Sequence, residues 1–185
     1  MKKNNAIALV CLAAGVLAGC SKSPSEKQVA PLFNQPAQPQ MPTQAQPKLP
    51  TMKIYFGSAG PSGSPRATVD AELALTPQEE ETGLMFRTNI PEDDSMLFVL
   101  PYPQAASFWM TNCPVSESAA YISPDGVIEE IHHFEKNDPI PVVASHQDIQ
   151  FVLETADGWY ARHSVDVGMV ITTEKGTLAQ TFLNH

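Results

Sequence analysis

Between residues 69 and 75 apolar and polar positions alternate, with Val69, Ala71, Leu73 and Leu75 set between Asp70, Glu72 and Ala74. A period of two marks a strand with one face on a core and the other in water. Met96 to Leu100 is apolar without interruption, which predicts a strand buried on both faces. Further short strands are predicted over residues 107–111, 119–123, 127–133, 149–155 and 169–173. Pro124-Asp125-Gly126 lies between two of them and reads as a tight turn. Two helices interrupt the pattern. Thr76-Pro77-Gln78-Glu79 has the form of a capping box with proline in the first turn, and Glu79 to Glu81 sit where the helix dipole favours negative charge. Asp157 is placed to cap a second helix through Trp159, Ala161, Arg162 and His163. Many short strands with two short helices predict a mainly β fold, either a compact antiparallel β-sandwich or a partly open barrel.

The amino-terminal pattern is different. Lys2 and Lys3 precede an apolar run from Ala6 to Leu17, too short for a bilayer span but suited to the core of an export signal. The run closes on Leu17-Ala18-Gly19-Cys20, which resembles the lipobox of bacterial lipoproteins. That resemblance implies cleavage before Cys20 and diacylglycerol on its sulfur. With Ser21 rather than aspartate next, it also implies the periplasmic face of the outer membrane. A secretory signal with an incidental cysteine is the alternative. From Ser21 to Pro50, seven prolines and six glutamines accompany few aliphatic residues, a composition that cannot bury enough apolar surface to offset its ordering entropy. A Gly/Ser/Pro patch follows at residues 57–65. The organisation expected is a signal peptide over 1–19, a lipidated cysteine and flexible linker over 20–66, and a β domain over 67–185. Cys11 leaves with the signal and Cys20 is acylated, so Cys113 has no partner for an intramolecular disulfide.

Charge narrows the partners. From Thr51 onward six basic residues face nineteen acidic ones, a balance of −13. Nucleic-acid binding needs a basic stripe, so nucleic acid is not an expected partner. A small ligand, a cation or a basic protein fits better, beside the membrane held through Cys20.

Several motifs occur together and in order. Gly83-Leu84-Met85-Phe86-Arg87, Met96-Leu97-Phe98-Val99, and Phe108-Trp109-Met110 with Asn112 come first. Val152-Leu153-Glu154, Gly158-Trp159, Arg162-His163 and Gly168 follow. Over about residues 68–173 this chain resembles the family called domain of unknown function 192. The resemblance implies a compact, mainly antiparallel β domain, often exported or lipid-anchored, with no established reaction. The family aspartate six residues after Asn112 is replaced by Ser118, with Glu117 beside it; a role carried by that aspartate is either lost here or shifted to Glu117. Cys113 stands where a hydroxyl residue is common, and Ser164 replaces a frequent glycine.

Four residues are candidates for ligand binding: Arg87, Trp109, Met110 and Asn112. Arg87 either clamps an anionic group or pairs with Glu92, Asp93 or Asp94. On a strand Trp109 takes the face opposite Phe108, Met110 and Asn112, which leaves an indole free for a ligand or covered by a loop. Asn112 at a strand end also suits a turn. His132 shares a strand face with Glu130, and His133 with Glu129, so each face offers at best two of the three or four ligands a zinc site needs. No glycine-rich phosphate loop, nucleophile elbow or HExxH motif occurs, and no cofactor is expected.

The reading that follows is a lipid-anchored envelope protein acting as a non-enzymatic binding module. Its alternative is a hydrolase or metal-dependent enzyme with a polar cleft near Asn112, Glu117, Glu130 and His132. The anchor is directly testable. Cells fed labelled palmitate should incorporate it into this protein, and Cys20→Ser should abolish the label; an unlabelled wild-type chain would exclude lipidation.

Overall fold

The computed structural model describes residues 41–57 and 64–183. The expected export signal, Cys20 and the first half of the expected linker lie outside them. Within the described residues the strands are β1 (Thr51–Phe56), β2 (Ala67–Ala74), β3 (Asp94–Gln104), β4 (Ser107–Phe108), β5 (Glu117–Ile122), β6 (Ile128–Phe134), β7 (Val142–Val143), β8 (Ile149–Ala156), β9 (Ile171–Thr173) and β10 (Gly176–Thr177). The helices are α1 (Pro77–Thr82), α2 (Trp159–Arg162) and α3 (Leu178–Phe182). Eight strands form one sheet in the order β10-β9-β1-β2-β3-β8-β5-β6, which curls into a half-barrel, while β4 and β7 pair separately. The fold is mainly β, as the hydropathy pattern predicts.

Both faces of the sheet are buried, which accounts for the unbroken apolar runs. Leu97, Phe151 and Leu153 point into one layer with Ile54, Phe56, Ile122, Trp159 and Leu178. Met96, Phe98 and Val152 point into the other with Leu84, Met85, Met110, Cys113, Ala119 and Tyr121. Alternate residues of each central strand therefore serve alternate cores.

Four expectations are corrected. Thr51–Phe56 lies in the stretch assigned to the flexible linker, yet β1 is an interior strand pairing with β2 and β9, and Met52, Ile54 and Phe56 are core. Its alternation is clear, but Pro50 and the Gly/Ser/Pro patch on either side disguise it. The β2–β3 pair is parallel, not antiparallel, because α1 carries the chain back across the layer between them. The described residues form three helices rather than two; the third, α3, begins with a capping box of Thr177 and Gln180. Asp157 does not cap α2, whose N-cap is Gly158 in a left-handed conformation.

The α1 capping box is present as expected: Thr76 N donates to Glu79 Oε2 at 2.9 Å and Glu79 N to Thr76 Oγ1 at 3.3 Å. The helix stops at Gly83, where φ is 47° and an added Cβ would stand 3.3 Å from the Phe98 ring. Both conditions exclude a larger residue. Beyond that stop the chain turns inward and delivers Arg87 to Glu72 of β2. Arg87 Nη1 donates to Glu72 Oε1 at 2.6 Å and Nη2 to Oε2 at 2.9 Å, while Leu49 N donates to Oε2 at 2.8 Å. The Glu72 carboxylate thus fastens the end of the linker, strand β2 and the segment after α1 to one another. Because Glu72 is 2% exposed, removing its cation leaves a buried charge without a counterpart. Arg87→Met should lower unfolding free energy by about 3 kcal/mol, with Glu72→Gln added to it restoring part of the loss in urea titrations. An unchanged urea midpoint in the single variant would show the ion pair to be dispensable.

Candidate functional site

A cleft of about 380 Å³ opens on the side of the sheet covered by α1. One wall is the end of α1 and the turn after it, through Glu80, Gly83, Leu84 and Met85. Phe98 and Leu100 of β3 and the segment from Gln104 to Trp109 form the rest of the walls, with Cys113 and Glu154 reaching it from deeper in the layer. Most of this lining is apolar. Glu154 is the ionisable residue in the strand that carries it: Phe151, Val152 and Leu153 precede it, and it is itself 5% exposed.

Sheet register shows what stands around Glu154. Met96 pairs with Glu72 on one side and with Glu154 on the other; Ala119 then pairs with Glu154 and His132. Glu117 lies two residues before Ala119 on β5, so it shares the face of Glu154 in a diagonal cross-strand position, within reach of a long side chain. Its residue is fully buried, and among the described residues neither carboxyl oxygen meets a hydrogen-bond donor. Its polar neighbour is the Glu154 carboxyl. Two carboxyl groups bond each other only when a proton lies between them, and two ionised ones repel.

Burial dominates the protonation of this pair. Desolvation, followed by the nearby Glu154 charge, holds Glu117 well above the ordinary carboxyl range, and Arg87 offsets this only in part. Burial likewise raises Glu154 to about 8, moderated by the Glu117 carboxyl beside it. Cys113 is also buried, and desolvation with the two acids nearby pushes its thiol up, away from the nucleophilic thiolate.

Of the sequence candidates, Trp109 lines the cleft and is 44% exposed, with its indole on the outer side of the layer. Strand β4 ends at Phe108, which packs on Phe98 at 5.0 Å between ring centroids. Met110 is core. Arg87 is committed to Glu72, not to Glu92, Asp93 or Asp94, and is absent from the cleft lining. Asn112 occupies a turn with φ 64°, and its carbonyl accepts from Phe86 N at 2.8 Å. Arg87, Trp109 and Asn112 therefore do not open onto one shared concavity.

The residues named for a polar catalytic cleft also separate. Glu130 and His132 bond each other at 2.8 Å on β6, and Glu130 additionally accepts from His146 Nδ1 at 2.7 Å and from Ser145 Oγ at 2.8 Å. Those bonds hold Glu130 low, at about 2, although burial opposes them. Glu117 belongs to the layer under the cleft instead. Among the described residues no group of three or more His, Cys, Asp or Glu side chains is arranged to hold a metal ion.

Residues 60–173 match the model of the family described as an uncharacterized conserved protein family, domain of unknown function 192. The chain belongs to this family. No curated protein matches it. In fold it is similar to a putative transcription regulator from Sinorhizobium meliloti 1021, at 25% identity and a TM-score of 0.63, over 70% of this chain and 98% of that one. It is also similar to a protein of unknown function from Novosphingobium aromaticivorans DSM 12444, at 25% identity and a TM-score of 0.59, over 67% and 86% of the two chains.

The departures from the domain of unknown function 192 pattern now have structural descriptions. Ser118 points away from the cleft and its Oγ accepts from Gly158 N at 2.8 Å, tying the turn before α2 to β5. Neighbouring strand residues face opposite ways, so Glu117 does not take over that position. Ser164 adopts φ 52°, a left-handed conformation that favours glycine.

Glu154 interrupts the apolar run of a predicted strand, which is the signal for the site; Glu117, between Ser116 and Ser118, precedes the strand predicted over 119–123, and the structure places it at the start of β5. Their raised folded-state pKa values carry a stability consequence. Above the ordinary carboxyl value of 4.5 the unfolded chain has released protons that the folded pair still holds, so the pair's contribution falls as pH rises toward about 8. Glu117→Leu should therefore be more stable than wild type by about 1–3 kcal/mol at pH 8, with the gain shrinking toward pH 5. Denaturant titrations at the two pH values would contradict this if the gain were absent or equal at both.

Proposed function

We propose that this protein is a lipid-anchored component of the cell envelope that works as a non-enzymatic binding module, taking a small ligand with an apolar body into the cleft beside Trp109. The observation that carries the reading is the cleft itself: largely apolar walls, an exposed indole at its edge and one buried acid within it. Small-molecule sites combine roughly 300–1,000 Å³ of mostly apolar concavity with a few placed polar groups, and this cleft has that composition. An exposed tryptophan supplies a large, rigid contact surface. The lipobox-like Leu17-Ala18-Gly19-Cys20 and the proline-rich stretch after it support a tethered domain standing off a membrane.

One structural neighbour is described as a putative transcription regulator. Carrying that role to this chain is disfavoured by its charge, six basic residues against nineteen acidic ones from Thr51 onward.

Saturation-transfer NMR with two neutral aromatic probes, indole and 2-phenylethanol, tests the cleft. Transfer from the full-length protein to both probes is expected. Trp109→Ala should cut it at least fivefold while moving the thermal midpoint by no more than about 2 °C, since exposed substitutions change stability little. Leu84→Trp, which fills the cleft, should abolish it. Transfer that survives both variants, or is absent from the wild type, overturns the proposal.

A further inference from the structure

The acids under the cleft specify more than an apolar ligand. Three carboxyl groups, those of Glu72, Glu117 and Glu154, point into one buried layer, and the guanidinium of Arg87 makes both of its bonds to Glu72. Glu117 and Glu154 are left to each other. Glu117 has two fully buried oxygens with no donor, and Glu154 is the member of the pair that lines the cleft. A buried polar group without a partner is costly, and a charge more so. The ligand that relieves both is one that brings its own positive charge and its own N–H donors.

We propose that the cleft selects small organic cations, compact ammonium compounds whose head sits on Glu154 with Glu117 behind it and whose apolar body lies among Met85, Phe98 and Trp109. This rests on the cleft being a ligand site and adds the chemical class of the ligand. Size supports an organic cation over a bare metal ion: the concavity is far larger than an ion needs, and most of its lining is apolar. The neighbouring ionisable groups compensate the charge only in part. Cys113, Tyr121 and Tyr160 are held neutral by burial, Arg87 belongs to Glu72, and Glu80 adds a further acid at the wall of the cleft.

Binding is coupled to a proton. Burial raises both carboxyls of the pair, so in the empty cleft near neutral pH the pair retains a proton. When R–NH₃⁺ docks on Glu154, that proton passes to solvent, the pair becomes more negative by one charge, and the ammonium N–H groups donate to the Glu154 carboxylate. Charge balances, because one cation enters as one proton leaves.

Isothermal titration calorimetry with phenethylammonium and its neutral counterpart 2-phenylethanol separates the two claims. The full-length protein should bind the ammonium compound at least tenfold more tightly at pH 7. Titration in two buffers of different ionisation enthalpy should show protons released on binding the amine and none on binding the alcohol. Glu154→Gln should remove the tenfold preference of the amine over the alcohol and the proton release. Glu117→Gln, which keeps Glu154, should diminish proton release and retain a weaker preference. Equal affinity for amine and alcohol in the wild type, or a preference that survives Glu154→Gln, overturns the cation assignment while leaving the cleft as a site for neutral ligands. Failure of both compounds to bind overturns the assignment and the cleft together.

Discussion

Glu72, Glu117 and Glu154 stand on one face of adjacent or near-adjacent strands, in a layer otherwise built of methionine, phenylalanine, alanine and leucine. One guanidinium serves them. Arg87 gives both its terminal nitrogens to Glu72 in a bidentate pair, and among the described residues Glu72 is the carboxylate it hydrogen-bonds. The arrangement holds the fold at one end of the row and leaves a deficit at the other. The ion pair fastens the end of the linker and the segment after α1 to β2. The unpaired acids lie where the cover formed by that same segment gives way to the cleft.

The cover is constrained in ways that also fall near this opening. Gly83 ends α1 close against Phe98, and two residues with side chains, Phe86 and Asn112, adopt left-handed backbone conformations and bond to each other across the layer. Such conformations cost of order 1–3 kcal/mol each for ordinary residues. The bond joins the turn after α1 to the turn after β4, and the neighbours of these two residues, Met85 and Cys113, line the cleft. The strained positions therefore set the spacing between its walls.

Much of this was readable from the chain. Alternation at Val69, Ala71 and Leu73 and the unbroken run at Met96 to Leu100 identify β2 and β3, since burial on one face or two leaves a direct trace in hydropathy. The capping box at Thr76 marks α1 because a local hydrogen-bond pattern needs no tertiary context. β1 was hidden by its neighbours, a proline before it and a flexible patch after it, although Met52, Ile54 and Phe56 alternate as cleanly as β2 does. Glu72 as the partner of Arg87 was not legible: the nearer acids Glu92, Asp93 and Asp94 are closer in sequence, and only the parallel β2–β3 crossover brings position 72 to position 87. Trp109 was identified by its face, but Arg87 and Asn112 were grouped with it by sequence proximity, which turns do not preserve.

Local consistency between propensity, patterning and packing is what allows a sequence to specify one fold, and departures from it concentrate where something other than stability is served. Leucine at position 117 would fill a similar volume and remove two orphaned oxygens. Alanine at position 109 would remove an exposed indole. Neither the acid nor the indole is required by the sheet, whose register is set by the apolar residues on its two faces. Both belong to the same end of the same layer, together with Glu154 and the two left-handed turns. Of these five departures from what a stable β domain needs, Trp109 and Glu154 line one concavity and the other three are neighbours of residues that do; the proposed ligand, apolar along its body and positive at its head, answers the three that are side chains.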